Sequence, residues 1–288
     1  MSEAPPVLPQ DHVSRFKLLL QCIPIAVGLA AVKYGLDVWL GSGGPWGWLE
    51  FNSDLNVIFT AVVFIMGFVL GGTLTDFKEA ERLPGEIASQ LEVLEDWMTE
   101  CVKQQHAFGT GDKDSDGKPR LVEREVLDVV RQTTAALITW FKSPDKRSES
   151  AFHAVKLIDA QIKELAGYKS LKGITVRTYG DLSALRKAVS RCYTIARTDF
   201  LGSAYTLFET FIVSLFLLLL ACKFKSTVTA TVVTGFMSLT YWYLYRLIRD
   251  VDNPFGYGEG HNEVSLHLLE RYHGRLEARI AALGGSLS

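Results

Sequence analysis

The sequence predicts an all-α membrane protein: four transmembrane helices, two N-terminal and two C-terminal, with an intervening cytosolic helical domain. Three observations predict it. First, the chain is 48% hydrophobic and 22% charged, with positive mean hydropathy. Its apolar residues are clumped into long runs, which is the membrane pattern. Second, Val57 to Leu74 holds eighteen residues without a charge. It then continues into the helix-favouring Asp76–Leu83 with no Gly or Pro between Thr73 and Leu83. A helix that starts in lipid and carries on into water suits a channel or transporter. Third, residues 75–200 are a different material, with apolar side chains at helical spacing (Ile87, Leu91, Leu94, Trp97) and no convincing strand.

Residues 1–15 form a Pro-rich arm. Phe16 to Leu40 is the first span. No small-residue cleavage site follows it, so it is read as a retained membrane helix and not a signal peptide. It carries Lys33 and Asp37, four residues apart on one face. Such groups at membrane depth face the headgroup layer, where they pair, or a water-filled vestibule. The loop 41–54 holds Trp46, Trp48 and Phe51, an interfacial aromatic set. The second span, 57–75, is the candidate pore helix. Its Gly67, Gly71 and Gly72 give a small face on which helices approach closely.

The middle domain, 76–200, reads as four amphipathic helices near 76–108, 121–142, 148–168 and 181–200. The first is expected to bend or restart at Pro84. The third and fourth spans, Tyr205–Cys222 and Val228–Ile248, lie in segment 201–249, joined by the polar KFKS. Residues 250–288 form a tail with a last helix near 263–283. Four crossings put both termini and the middle domain on one side. Arg15, Lys17, Lys78, Arg82, Arg191, Arg197, Arg246 and Arg249 flank the spans there, which makes that side cytosolic.

Several function classes fall away. The net charge of −2 gives no broad basic face for nucleic acid. Four scattered cysteines without a CxxC pair indicate neither a disulfide scaffold nor a zinc site. No nucleophile elbow, Walker or zincin motif is present, so an enzyme is not expected. One metal motif does occur. Asp112, Asp114, Asp116, Lys118 and Glu123 occupy the ligand positions of D-x-D-x-D-G-x5-E, the calcium loop of an EF-hand. Pro119 takes the position at which paired loops exchange a backbone hydrogen bond, and no second loop is present. The alternatives are a calcium site and an Asp/Gly-rich linker. Titration calorimetry with calcium separates them.

Two stretches resemble the bestrophin family of anion channels, its short prokaryote-like and organellar members. Gly67-Phe68 followed by Phe77, Glu79, Ala80, Leu83 and Gly85 resembles the family's pore helix and the aromatic-rich segment after it. Asn253-Pro254-Phe255-Gly256 matches the NPFG motif after the last span. The resemblance implies a homopentameric channel in a lipid membrane that passes chloride and often bicarbonate, with no required cofactor. It carries the hydrophobic neck onto Thr60, Phe64 and Phe68. These lie at i, i+4 and i+8, along one helix stripe. Lys33, Lys223 and Lys225 are then the vestibule candidates. Thr60 replaces a usual aliphatic residue, and the acidic string after NPFG is thinned to Glu259 and Glu263. The rival reading is a non-conducting four-span scaffold or calcium-responsive sensor.

Overall fold

The computed structural model describes residues 12–39, 41, 49–108, 122–144, 148–167, 172–197, 202–257 and 263–285. Among them the chain is helical: α1 His12–Trp39, α2 Ser53–Phe108, α3 Glu123–Lys142, α4 Ser148–Ala166, α5 Lys172–Arg197, α6 Gly202–Ala221, α7 Thr227–Asp252 and α8 His267–Gly285. The all-helical expectation is borne out. The chain divides into two compact units.

The first unit holds residues 1–77, 199–253 and 259–262. α1 packs along α7. Small residues permit this: a Cβ on Gly235 would lie 3.3 Å from the Cβ of Ala30. The core joins Phe59, Val62 and Met66 of α2 to Phe208, Ile212, Leu215 and Leu219 of α6 and to Tyr241 and Tyr245 of α7. Among the described residues, three helices are long and apolar enough to cross a membrane: Phe16–Trp39, Ser53–Gln104 and Ser203–Ala221. α7, the expected fourth span, is not among them. Its C-terminal half carries Tyr241, Trp242, Tyr243, Tyr245 and Arg246, which lower its hydropathy. It still bares the apolar stripe Val228, Val232 and Phe236.

The second unit holds residues 78–198, 254–258 and 263–288. α3 packs on α4 and α8, and α4 packs on α5. The apolar stripe of α3 (Val126, Leu127, Val130, Leu137, Phe141) is buried, as its 3.6-residue period requires. Two expectations are corrected here. Pro84 does not restart a helix: α2 runs through it from Ser53 to Phe108. α5 begins at Lys172, well before residue 181, so the part of the linker that holds Gly173 and Gly180 is helical.

Candidate pore and its supports

The candidate site starts from the registry of α2. Val62 and Met66 are buried in the core. Each is two residues from Phe64, which at 100° per residue puts Phe64 on the opposite side of the helix. The rings of Phe64 and Phe68 are accordingly 75% and 78% exposed in the protomer, and Thr60 is exposed beside them. The stripe is therefore turned out of the protomer's own core. Thr60 does not present a free donor along it. Its hydroxyl donates back to the carbonyl of Asn56 at 2.8 Å, so only lone pairs remain. An anion seeks donors, and Thr60 in this rotamer supplies none.

Gly67, Gly71 and Gly72 are exposed, and a Cβ on any of them would meet nothing within 4 Å. Within one protomer their smallness serves no contact. The back of the helix is fixed by Tyr241, whose buried hydroxyl donates to the carbonyl of Phe59 at 2.9 Å. That bond and the Phe59–Tyr241 ring contact at 6.3 Å set the rotation of α2.

Lys33 takes a different position from a vestibule lining. Its side chain is 1% exposed and pairs with Asp37 at 3.0 Å. Its ammonium donates to the carbonyls of Leu220 at 3.2 Å and Cys222 at 2.6 Å. These belong to the end of α6, where the last carbonyls lack helical partners and the helix dipole is negative. Lys33 is thus a cap for α6 delivered by α1, and its charge does not face solvent. Lys223 is half-buried and uses its backbone to tie down the segment before α2: its N–H donates to Leu49 O at 2.8 Å, and Phe51 N–H donates to Lys223 O at 3.0 Å. Only Lys225 of the three is fully exposed.

The motif residues have structural tasks in the second unit, except Phe77, which is half-buried on α2 in the first, and Asn253, which ends α7. Ala80 and Leu83 are buried. A Cβ on Gly85 would come within 3.1 Å of Leu268 Cδ1. Glu79 receives both Nε and Nη2 of Arg191, each at 2.7 Å, a bidentate pair. The Arg191 hydrogen bond holds the Glu79 carboxyl below its usual range. Pro254 O accepts from Val264 N–H at 3.0 Å. Phe255 is fully buried against Phe141, with ring centroids 5.3 Å apart. Gly256 is half-buried.

Of the calcium-loop residues, Asp112, Asp114, Asp116 and Lys118 lie outside the described residues. Glu123 lies in the first turn of α3, where its carboxylate accepts Arg279 Nη2 at 2.7 Å. A calcium ion there would compete with Arg279.

The sequence reading missed one set of residues. Glu209, well inside α6, accepts the hydroxyl of Tyr245, and Tyr205 donates to Asp252 at 2.7 Å. The signal available was an ionisable residue inside an apolar run, which marks a bundle contact or a cavity.

No protein-family profile and no curated protein matches the chain. Solved structures do. A crystal structure of a bacterial Bestrophin homolog from Klebsiella pneumoniae aligns at a TM-score of 0.68 and 16% identity, over 93% of this chain and 98% of that one. A second crystal structure of a Klebsiella pneumoniae Bestrophin homolog gives 0.68 and 16%, over 90% and 96%. A crystal structure of a membrane protein gives 0.70 and 15%, over 91% and 98%. The chain shares the fold of these proteins, and the resemblance drawn from its motifs is borne out at that level.

Proposed function

We propose that this chain, which has the fold of a bacterial bestrophin homolog, is a bestrophin-like anion channel that passes chloride and bicarbonate. The observation that carries the reading is the outward registry of Phe64 and Phe68 on α2, opposite the buried Val62 and Met66. In a homopentamer with α2 nearest the axis, these side chains form two aromatic rings. Such a constriction closes by dewetting, and the positive edges of the rings favour an anion that has shed part of its water. Thr60 adds a third, non-donating ring on the entry side. Lys225 raises local anion concentration at one mouth. Both termini and the middle domain lie in the cytosol, in keeping with the Lys/Arg bias of the flanks. Neither a catalytic group nor a bound cofactor enters this mechanism, and calcium is not required by it.

The reading is tested by reconstituting the purified protein in chloride-loaded liposomes and following efflux with a chloride electrode. Efflux well above that of protein-free vesicles is expected. Efflux equal to the protein-free control contradicts the channel and leaves the scaffold reading.

A further inference from the structure

Within the second unit, the α2 segment 79–90 and α5 border a surface groove of about 430 Å³. Its floor is apolar, made by Leu83, Ala184 and Ala188. Its walls carry three cations, Arg82, Lys187 and Arg191, and two carboxylates, Glu79 and Glu86. The charges are not equally available. Arg191 and Glu79 are committed to each other through two 2.7 Å hydrogen bonds. Arg82 holds Glu86 at 3.0 Å in an i, i+4 pair with side chains 72% and 43% exposed. A pair that open to water is weak and readily displaced. Lys187 is exposed and has no ion pair among the described residues. With the Arg191–Glu79 pair set aside, two cations remain against one loosely held carboxylate. Ser89 and Gln90 add uncharged donors on the same wall.

We propose that this groove binds a phosphate-bearing anion, with Arg82 and Lys187 on the phosphoryl oxygens and the apolar floor under the group the phosphate carries. A guanidinium beside an ammonium suits the oxygens of a phosphate, which accept several hydrogen bonds at once. The groove is far larger than a bare halide requires, so the fit is to an ester. Arg82 follows Leu74, the last residue of the uncharged run, by eight residues. That is about two helical turns along α2, and basic residues just beyond an apolar span are attracted to anionic headgroups. The phosphate therefore comes from a lipid headgroup or from a soluble phosphate. The inference stands apart from the channel reading, because it needs neither conduction nor the neck.

The test uses the full-length protein in detergent micelles and three charge reversals: Arg82→Glu, Lys187→Glu and, as a control on the exposed face of α4, Lys156→Glu. Lipid retained per protomer is counted by native mass spectrometry from micelles doped with phosphatidylglycerol or with phosphatidylcholine. Thermal unfolding is followed against millimolar inorganic phosphate. A headgroup source predicts retained phosphatidylglycerol that falls about tenfold in Arg82→Glu and Lys187→Glu and stays in Lys156→Glu. A soluble source predicts a saturable rise in Tm with inorganic phosphate that the first two variants lose and the control keeps. Should a reversal fail to fold, Lys187→Gln replaces it with the same expectation. The proposal is overturned if neither probe binds the native protein, or if the control variant loses binding as fully as the other two.

Discussion

Lys33 shows what a single residue can and cannot disclose. The sequence offers Lys33 and Asp37 at helical spacing, and that pair forms. It does not offer Leu220 and Cys222, whose carbonyls are 187 and 189 residues away. No periodicity reports a partner at that distance, so the spacing offers the headgroup layer or a vestibule and not the cap on α6. A buried ion pair is costly to halve, because the survivor keeps its desolvation cost. Lys33→Met should therefore destabilise by about 3–5 kcal/mol, and adding Asp37→Leu should restore much of it. Thermal melts of the two variants in detergent check this. Two carboxylates of α2 make a second residue-level prediction, with opposite signs. Glu79 is lowered by Arg191, so its contribution is present above its ordinary value of 4.5 and is lost as pH falls through the lowered one. Glu95 is raised by burial, against hydrogen bonds from Tyr272 and Arg279. Its contribution is present below 4.5 and is lost as pH rises through the raised value. Glu79→Gln should flatten the acid side of the stability profile, and Glu95→Gln the side towards neutral pH. Melts between pH 3 and 8, roughly the range over which carboxylates titrate, separate the two.

At the scale of elements, the apolar periods carried α3, α4 and α8 to within a few residues, because each buries one stripe. Proline and glycine misled. Pro84 predicts a bend or a restart, since an interior proline removes one hydrogen bond and costs about 3 kcal/mol. The helix persists with Ala80, Leu83, Ile87 and Leu91 all buried around it, and that burial offsets the penalty. Gly173 and Gly180 lie between the helices expected at 148–168 and 181–200, where α5 is already helical from Lys172. Gly85 gives an element-level prediction. Its place beside Leu268 leaves 3.1 Å for a Cβ, against the tip of a flexible side chain. Gly85→Ala should be near neutral, with about 1 kcal/mol of helix propensity set against the tight contact. Gly85→Leu should cost about 1–3 kcal/mol through overpacking. Equal melts for the two would remove this account of the packing of Gly85 against Leu268.

At the scale of the whole molecule, the first unit leaves much of α2 uncovered, from Val57 to Leu74, on every side but that of Phe59, Val62 and Met66. The glycine face and the phenylalanine stripe both lie on that uncovered surface, and an oligomer gives each a use. Gly67→Leu and Gly71→Leu meet open space in the protomer, so the monomer fold should survive them while assembly is lost. Light scattering after gel filtration would show a lower mass than the native protein; unchanged mass would mean the glycines face lipid. The fold was legible from the runs, the continuation of α2 and the two motifs. The neck was legible only through family likeness, because a Phe inside an apolar run reads the same in the sequence whether it is buried in the protomer, meets lipid or lines a pore. The direct measurement is the chloride-to-bicarbonate permeability ratio and the open probability of the reconstituted protein in planar bilayers, native against Phe64→Ala/Phe68→Ala. The account predicts that widening both rings raises open probability and moves the ratio towards one. Currents identical to the native protein in both respects would contradict it.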